Sequence, residues 1–383
     1  MSRWRSVAKK AAIALPTTVG LAGAAFRWRN RPQMPPDYQL QSLQGRTVVV
    51  TGGTSGIGQS TVKGLLGLGA HVIVGVRNSD RGQSLCSAMA DVKLTQSGET
   101  GIPDASPKHQ HQDDPEGQIS ERAGHAAGGK LEVLPLDLCD PGSIVAFADE
   151  AKRRSTAEGC GLHAVVNAAA EICASLERTA SGVDVTFFTN HVGPQLLLTS
   201  LLPEMLSKSE GSGSRHKKII LVGSRLERRG QVDITSLQDE GIADPRMVNR
   251  FDPMTNYAAS KLANMLLATE VRRRLDGTDT VDVSVVSPGM VNTGLWRNFP
   301  AWYRTITYPM RAAFLRSPDE GALGILYAVA ATQAEGLREY TCDGCPLECS
   351  DAAKNVSDAT KLFEVCEVIA TREQLALTKQ AVS

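Results

Sequence analysis

Tyr257-Ala-Ala-Ser-Lys261 sets a phenol and an ammonium four residues apart, close enough to share one face of a helix. A phenol titrating near 10 is a poor base at neutral pH, but an adjacent ammonium favours its ionised form. Such a pair can therefore give or take a proton at a reacting oxygen. Thr51-Gly-Gly-Thr-Ser-Gly-Ile-Gly58 offers different chemistry. Gly52, Gly56 and Gly58 lack a Cβ, so main chain can approach a pyrophosphate there. A helix beginning within Thr54, Ser55, Gly56, Ile57 and Gly58 would aim its free N–H groups at the phosphates. In Val72-Ile-Val-Gly-Val-Arg77 an Arg stands where an NAD site usually has an acid, and the first acid is Asp80. Arg77 suits the 2′-phosphate of NADP.

These groups meet only if a regular scaffold brings them together. Short β-branched runs at 46–50, 70–76, 131–135, 162–167, 217–223 and 281–286 read as buried strands. Helical stretches follow the glycine turn to about residue 68 and occupy 78–93, 141–154, 184–206 and 256–275. Strict alternation with helical crossovers implies a doubly wound α/β fold, a mostly parallel sheet covered on both faces. Tyr257 then sits at the start of the helix between the fifth and sixth strands.

Of the 383 residues, 42% are apolar and 21% charged, which excludes global disorder. Equal numbers of basic and acidic groups, 41 each, argue against a nucleic-acid binder. Residues 1–31 hold seven basic groups and no acid, leaving 34 basic against 41 acidic groups in the remainder. The basic clusters flank a charge-free run at 11–26, shorter than the ~20 residues of a full span. Residues 1–36 are expected to be a targeting or anchoring segment with a membrane role; a signal peptide, a signal anchor, an organelle transit segment and a surface helix stay open. Residues 37–375 form the dinucleotide-binding domain, and 376–383 a tail. A Gly-, Pro-, Ser- and His-rich stretch at 95–129 reads as a disordered insertion. His109, His111 and His125 lie there with Asp113 and Asp114, more in keeping with a polar loop than a metal site. A shorter insertion covers 227–253. Cys342, Cys345 and Cys349 lack a fourth ligand for zinc, so no metal is expected.

With these motifs in this order, the chain resembles the short-chain dehydrogenase/reductase family over roughly residues 43–370. The matching residues are the 51–58 turn, Asp137-Leu138, Asn167, Asn190, Ser224, the Tyr257/Lys261 pair and Ser287-Pro-Gly289. Gly75-Val-Arg-Asn78, Thr189-Asn-His-Val-Gly193, the residues around Tyr257 and Pro288-Gly-Met-Val-Asn-Thr293 resemble its retinol-dehydrogenase-like branch, as do Tyr340-Thr-Cys-Asp343 and Leu362-Phe-Glu-Val365. The resemblance implies a C-terminal strand and helix for these last two. It also implies that Ser224 orients the substrate oxygen, that Tyr257 exchanges its proton, and that Lys261 binds the nicotinamide ribose and lowers the Tyr257 pKa. Asn190 would position a water leading to Lys261. Thr293 would bind the carboxamide within a loop that includes Pro288, Gly289 and Val291, and Asp137 would lie by the adenine. Asn167-Ala-Ala-Ala170 departs from the family's common Asn-Asn-Ala-Gly, and Pro194-Gln195 replaces an aromatic pair.

The expected function is NADP(H)-dependent interconversion of an apolar carbonyl compound, such as a retinoid, steroid or lipid aldehyde, and its alcohol. A non-catalytic NADP-responsive binding protein and a tetrapyrrole reductase are the alternatives. Specificity is expected in residues 295–314, which hold six of the chain's eighteen aromatics. These form a lipophilic pocket wall, a packed flap or a membrane-contacting surface. The expected partners are a small lipophilic substrate and a membrane, with a homodimer left open. The expected location is the endoplasmic reticulum, with the mitochondrion or plastid as alternatives.

Overall fold

The computed structural model describes residues 31–32, 34–35, 39–90, 124–126, 128–157, 161–207, 216–240, 251–278, 280–294, 301–331 and 340–382. The first half runs β1 (Thr47–Thr51), α1 (Gly56–Gly67), β2 (His71–Val76), α2 (Ser79–Ala90), β3 (Gly124–Ala126), β4 (Gly129–Pro135) and α3 (Pro141–Ala157). Next come β5 (Leu162–Asn167), α4 (Gly193–Leu206), β6 (Lys217–Val222), α5 (Ile234–Glu240), α6 (Pro253–Arg274) and β7 (Val281–Ser287). The chain closes with α7 (Ala301–Phe314), α8 (Pro318–Ala330), β8 (Tyr340–Cys342), β9 (Cys345–Pro346) and α9 (Val356–Val382).

The strands lie in one sheet in the order β3-β4-β2-β1-β5-β6-β7-β8-β9. Pairing is parallel from β4 through β8, and antiparallel only at the two edges. Strand order reverses between β1 and β5, which opens a crevice at the carboxyl ends of those strands. Alternation along each strand feeds two cores. Val48, Val50, Val72 and Val74 join Leu65 of α1 and Ile325 of α8 on one face. Val49, Ile73 and Val165 join Phe147 of α3, Leu197 of α4, Leu266 of α6 and Phe363 of α9 on the other. Side chains that point alternately to opposite faces, all apolar, are what a strand buried on both sides requires.

One expectation is corrected. Part of the 95–129 insertion is ordered as β3, a hairpin partner of β4 that pairs Ala126 with Gly129. Gly128, at φ +114, permits the tight turn, and main-chain pairing needs no apolar side chain to announce it. Residues 95–123, and with them His109, His111, Asp113 and Asp114, lie outside the described residues, as do residues 1–30. Helix α9 continues to Val382 through Glu, Gln, Leu, Ala and Lys, all good helix formers. Among the described residues no helix is long and apolar enough to cross a membrane. No three His, Cys, Asp or Glu side chains converge there to hold a metal ion; Cys342 and Cys345 face each other across the β8–β9 hairpin.

Candidate cofactor and proton-transfer site

The crevice holds a cavity of about 580 Å³. Its floor is the seam between β1 and β5, where Thr51 pairs with Asn167. The Thr51 hydroxyl donates to Asn167 Oδ1 at 2.7 Å and accepts from the Ala169 N–H at 3.2 Å. Gly52, at φ +69, lies so near this segment that a Cβ would stand 2.6 Å from Ala169 Cα. A Cβ on Gly58 would stand 2.2 Å from the Gly52 carbonyl oxygen. Both positions demand glycine, and the helix α1 that opens here has no acidic residue in its first turn. A tight main-chain cradle at a positive helix end fits a pyrophosphate.

Most of the expected site residues face this cavity. Gly52, Thr54, Ser55, Gly56, Ile57 and Gly58 line its phosphate side, and Arg77, Asp137 and Leu138 its outer end. Ser224, Tyr257 and Lys261 line the opposite end, while Pro288, Gly289, Val291 and Thr293 form a wall over it. Two expected members are not on the surface of the cavity. Asn167 is a strut beneath Thr51. Asn190 is fully buried within a π-helical turn, Phe188–Val192, that leads into α4. Its side chain accepts from the Glu171 N–H at 2.7 Å and donates to the Glu171 carbonyl at 2.9 Å and to Ser260 Oγ at 3.1 Å. Ser260 in turn donates to the Tyr257 carbonyl at 2.8 Å, so the Asn190 side chain ties the cofactor wall to the helix bearing Tyr257.

Three further residues of the cavity wall, given no role by the sequence analysis, stand out. Glu171 places a carboxylate oxygen 3.6 Å from Arg77 Nη1, and Arg81, in the first turn of α2, joins the lining. The spacing of Arg77 and Arg81 was visible in the sequence; the Glu171 contact depends on how β5 ends. The third is Thr189, whose hydroxyl lies 3.0 Å from Cys139 Sγ. Beneath the wall loop, buried Arg316 donates to both carboxylate oxygens of Asp343 at 2.7 and 2.8 Å and to the Pro288 carbonyl at 3.2 Å.

Burial governs the proton-transfer pair. It pushes the Tyr257 hydroxyl well above the ordinary phenol value, with Tyr340 acting in the same direction. Burial also lowers Lys261 to about 8, although its ammonium donates to the Val222 carbonyl at 2.8 Å. The lowering of the Tyr257 pKa implied by the resemblance is outweighed: at 5.5 Å from the ring centre, the Lys261 ammonium does not offset desolvation. Tyr257 is held as a proton donor.

A sequence profile described as short chain dehydrogenase matches residues 46–100. Retinol dehydrogenase 14 of Mus musculus is 30% identical over 368 residues, covering 94% of this chain and 98% of that protein. The chain belongs to the short-chain dehydrogenase/reductase family. Within it, the chain falls in the retinol-dehydrogenase-like branch. A polyprenol dehydrogenase of Mus musculus is 32% identical, covering 80% of this chain and 76% of that protein. Among solved structures, a short chain dehydrogenase from Burkholderia cenocepacia in complex with NADP superposes with a TM-score of 0.53 at 20% identity, covering 79% and 98% of the two chains. That likeness shows the fold. As a family member the protein is an oxidoreductase with a nicotinamide cofactor.

Proposed function

We propose that this family member interconverts an apolar carbonyl compound, of the retinoid, steroid or lipid aldehyde class, and its alcohol, and that it uses NADP(H). One observation carries the reading. A single cavity joins the glycine cradle and two arginines at one end to Ser224, Tyr257 and Lys261 at the other. Arg77 follows β2 and Ser224 follows β6, three strand positions apart in the sheet, about 14 Å at ordinary strand spacing. That distance suits an extended dinucleotide.

The nicotinamide supplies the hydride when bound. Tyr257, protonated by virtue of its burial, donates its proton to the substrate carbonyl oxygen. Ser224, extended at φ −160 and capping a short 3-10 turn, presents its hydroxyl to the same oxygen and orients it. Lys261 holds a ribose hydroxyl and Thr293 the carboxamide, while Arg77 and Arg81 hold the 2′-phosphate. Asp137 lies at the adenine end. The Asn190 strut fixes the spacing between the cofactor wall and Tyr257. Relatives named for retinol and polyprenol, both long apolar alcohols, support the substrate class. The basic-flanked run at 11–26 supports attachment to a membrane, with the endoplasmic reticulum as the expected location.

The test pairs a panel of aldehydes, ketones and alcohols, followed at the nicotinamide absorbance band, with binding titrations of Arg77→Ala. Loss of one charge-assisted contact weakens NADPH tenfold to hundredfold, about 2 kcal/mol, and leaves NADH nearly unchanged. Equal weakening of both cofactors would remove the NADP assignment. Cofactor binding with no turnover across the panel would leave a binding protein instead.

A further inference from the structure

Between Gly289 and Ser317 the chain leaves the cavity wall and returns to it. The Asn292 N–H donates to the Arg316 carbonyl at 2.9 Å, and the Arg316 N–H to the Met290 carbonyl at 2.8 Å. Both ends are thus pinned beside the cavity, and α7 lies within the excursion. Ten large apolar side chains stand exposed among the described residues, and five of them, Met290, Trp302, Ile306, Tyr308 and Met310, belong to this one segment. Trp302, Ile306 and Met310, 66%, 71% and 58% exposed, recur every four residues and so make one apolar stripe along α7. A stripe of this kind on a soluble surface marks a contact site.

Charge identifies what it contacts. From residue 283 to residue 318 the sequence carries Arg297, Arg304, Arg311 and Arg316 and no Asp or Glu. Arg316 is paired with Asp343; Arg304 is exposed, and Arg311, which donates to the Arg304 carbonyl at 3.1 Å, is half-buried, both on another side of α7 from the stripe. A short helix with Trp, Ile and Met on one side, arginine on another and no acid has the composition that lies in the headgroup region of an anionic bilayer. We propose that α7 is an interfacial helix that seats the mouth of the cavity on an anionic lipid surface, so that a lipophilic substrate passes from the bilayer to Tyr257 without crossing water. The substrate path rests on the function proposed above, whereas the surface assignment does not require turnover.

The experiment uses the full chain with Trp302 as its sole tryptophan (Trp4→Phe, Trp28→Phe, Trp296→Phe). Vesicles of brominated phosphatidylcholine, with or without phosphatidylserine, are the probe. With phosphatidylserine present, Trp302 emission shifts to the blue and is quenched. Ile306→Asp abolishes the quenching, and Arg304→Gln weakens vesicle affinity about fivefold. Flotation of the chain with the vesicles while Trp302 stays unquenched would show that another segment makes the attachment, and would overturn the proposal. Equal quenching without phosphatidylserine would overturn its anionic component. A blue shift that rises with protein concentration in the absence of vesicles would assign the stripe to a second copy of the chain instead.

Discussion

Two walls of the same cavity are built on opposite plans. The β1–β5 wall is packed to backbone contact: a Cβ on Gly52 would meet Ala169, and one on Gly58 the Gly52 carbonyl, and Asn167 and Asn190 are spent as struts behind it. Among the described residues of the 288–316 wall, a buried ion pair and main-chain hydrogen bonds lie at the ends, while α7 turns large side chains outwards. A rigid main-chain cradle suits a cofactor that never varies, since phosphates can be read through N–H groups. A wall that exposes Trp302 and Tyr308 offers side chains to a substrate or a surface. If this division holds, damage to the proton-transfer pair leaves the cradle intact, and damage to the tie loosens one wall alone.

The largest effect is expected from Tyr257→Phe, which removes the proton donor from a ring that is otherwise packed as before. Turnover should fall by about 10²- to 10⁴-fold while the NADPH dissociation constant, measured by fluorescence titration, stays put. A matching loss of cofactor affinity would mean that the two walls are not separable. Next comes Arg316→Ala. It leaves Asp343 buried without its cation beneath the Pro288 carbonyl, at a cost of about 3–5 kcal/mol. Urea unfolding would read this as a lowered midpoint. A change below about 1 kcal/mol, in the range of an exposed ion pair, would show that the wall is tied elsewhere.

The fixed wall was the legible one. Glycines spaced for close approach, β-branched strand runs and Tyr257 with Lys261 express local rules, so strands such as Leu162–Asn167 coincide with their expected limits. What the sequence hid depends on contacts between distant segments. The resemblance singles out Asn190, but its contacts with Glu171 appear only when the end of β5 is laid against it. Arg316 and Asp343 are 27 positions apart, and nothing local ties them. The Lys261–Tyr257 electrostatics were misjudged for a related reason: spacing supplies the attraction between the groups, but only the assembled structure supplies the desolvation that outweighs it. β3 was missed because a two-residue turn at Gly128 and main-chain pairing carry no apolar pattern.

That desolvation makes a smaller effect measurable. Lys261, buried and lowered to about 8 from 10.5, binds its proton less tightly in the folded chain than in the unfolded one. Between about pH 8 and 10.5 the unfolded state therefore holds more protons, and cofactor-free stability contributed by this site rises with pH. Below 8 the buried ammonium is a standing cost. Lys261→Met should stabilise the cofactor-free chain at pH 7 by about 1–2 kcal/mol, the desolvation relieved less the hydrogen bond lost at the Val222 carbonyl. The gain should shrink as the pH approaches 10, while turnover falls. Destabilisation at pH 7 would show that the hydrogen bond outweighs burial.

The smallest expected effect lies at the outer end of the fixed wall, where Glu171 stands 3.6 Å from Arg77. Its main chain is clamped by Asn190 on both sides, so Glu171→Gln changes the charge and leaves the backbone in place. The carboxylate competes with a bound phosphate for Arg77 and repels it. The Arg77 side chain is 55% exposed, so solvent screens the pair and its worth is about 0.2–1 kcal/mol. NADPH should then bind roughly two- to fivefold more tightly to Glu171→Gln, with less gain for NADH and less for either cofactor at high salt, where the Debye length shortens. Equal tightening of both cofactors would place the repulsion at the shared pyrophosphate instead of the 2′-phosphate. Weaker NADPH binding would reverse the reading altogether, because Glu171 would then be the group that aims Arg77, and the outer end of this wall would depend on a side-chain contact as the flap does.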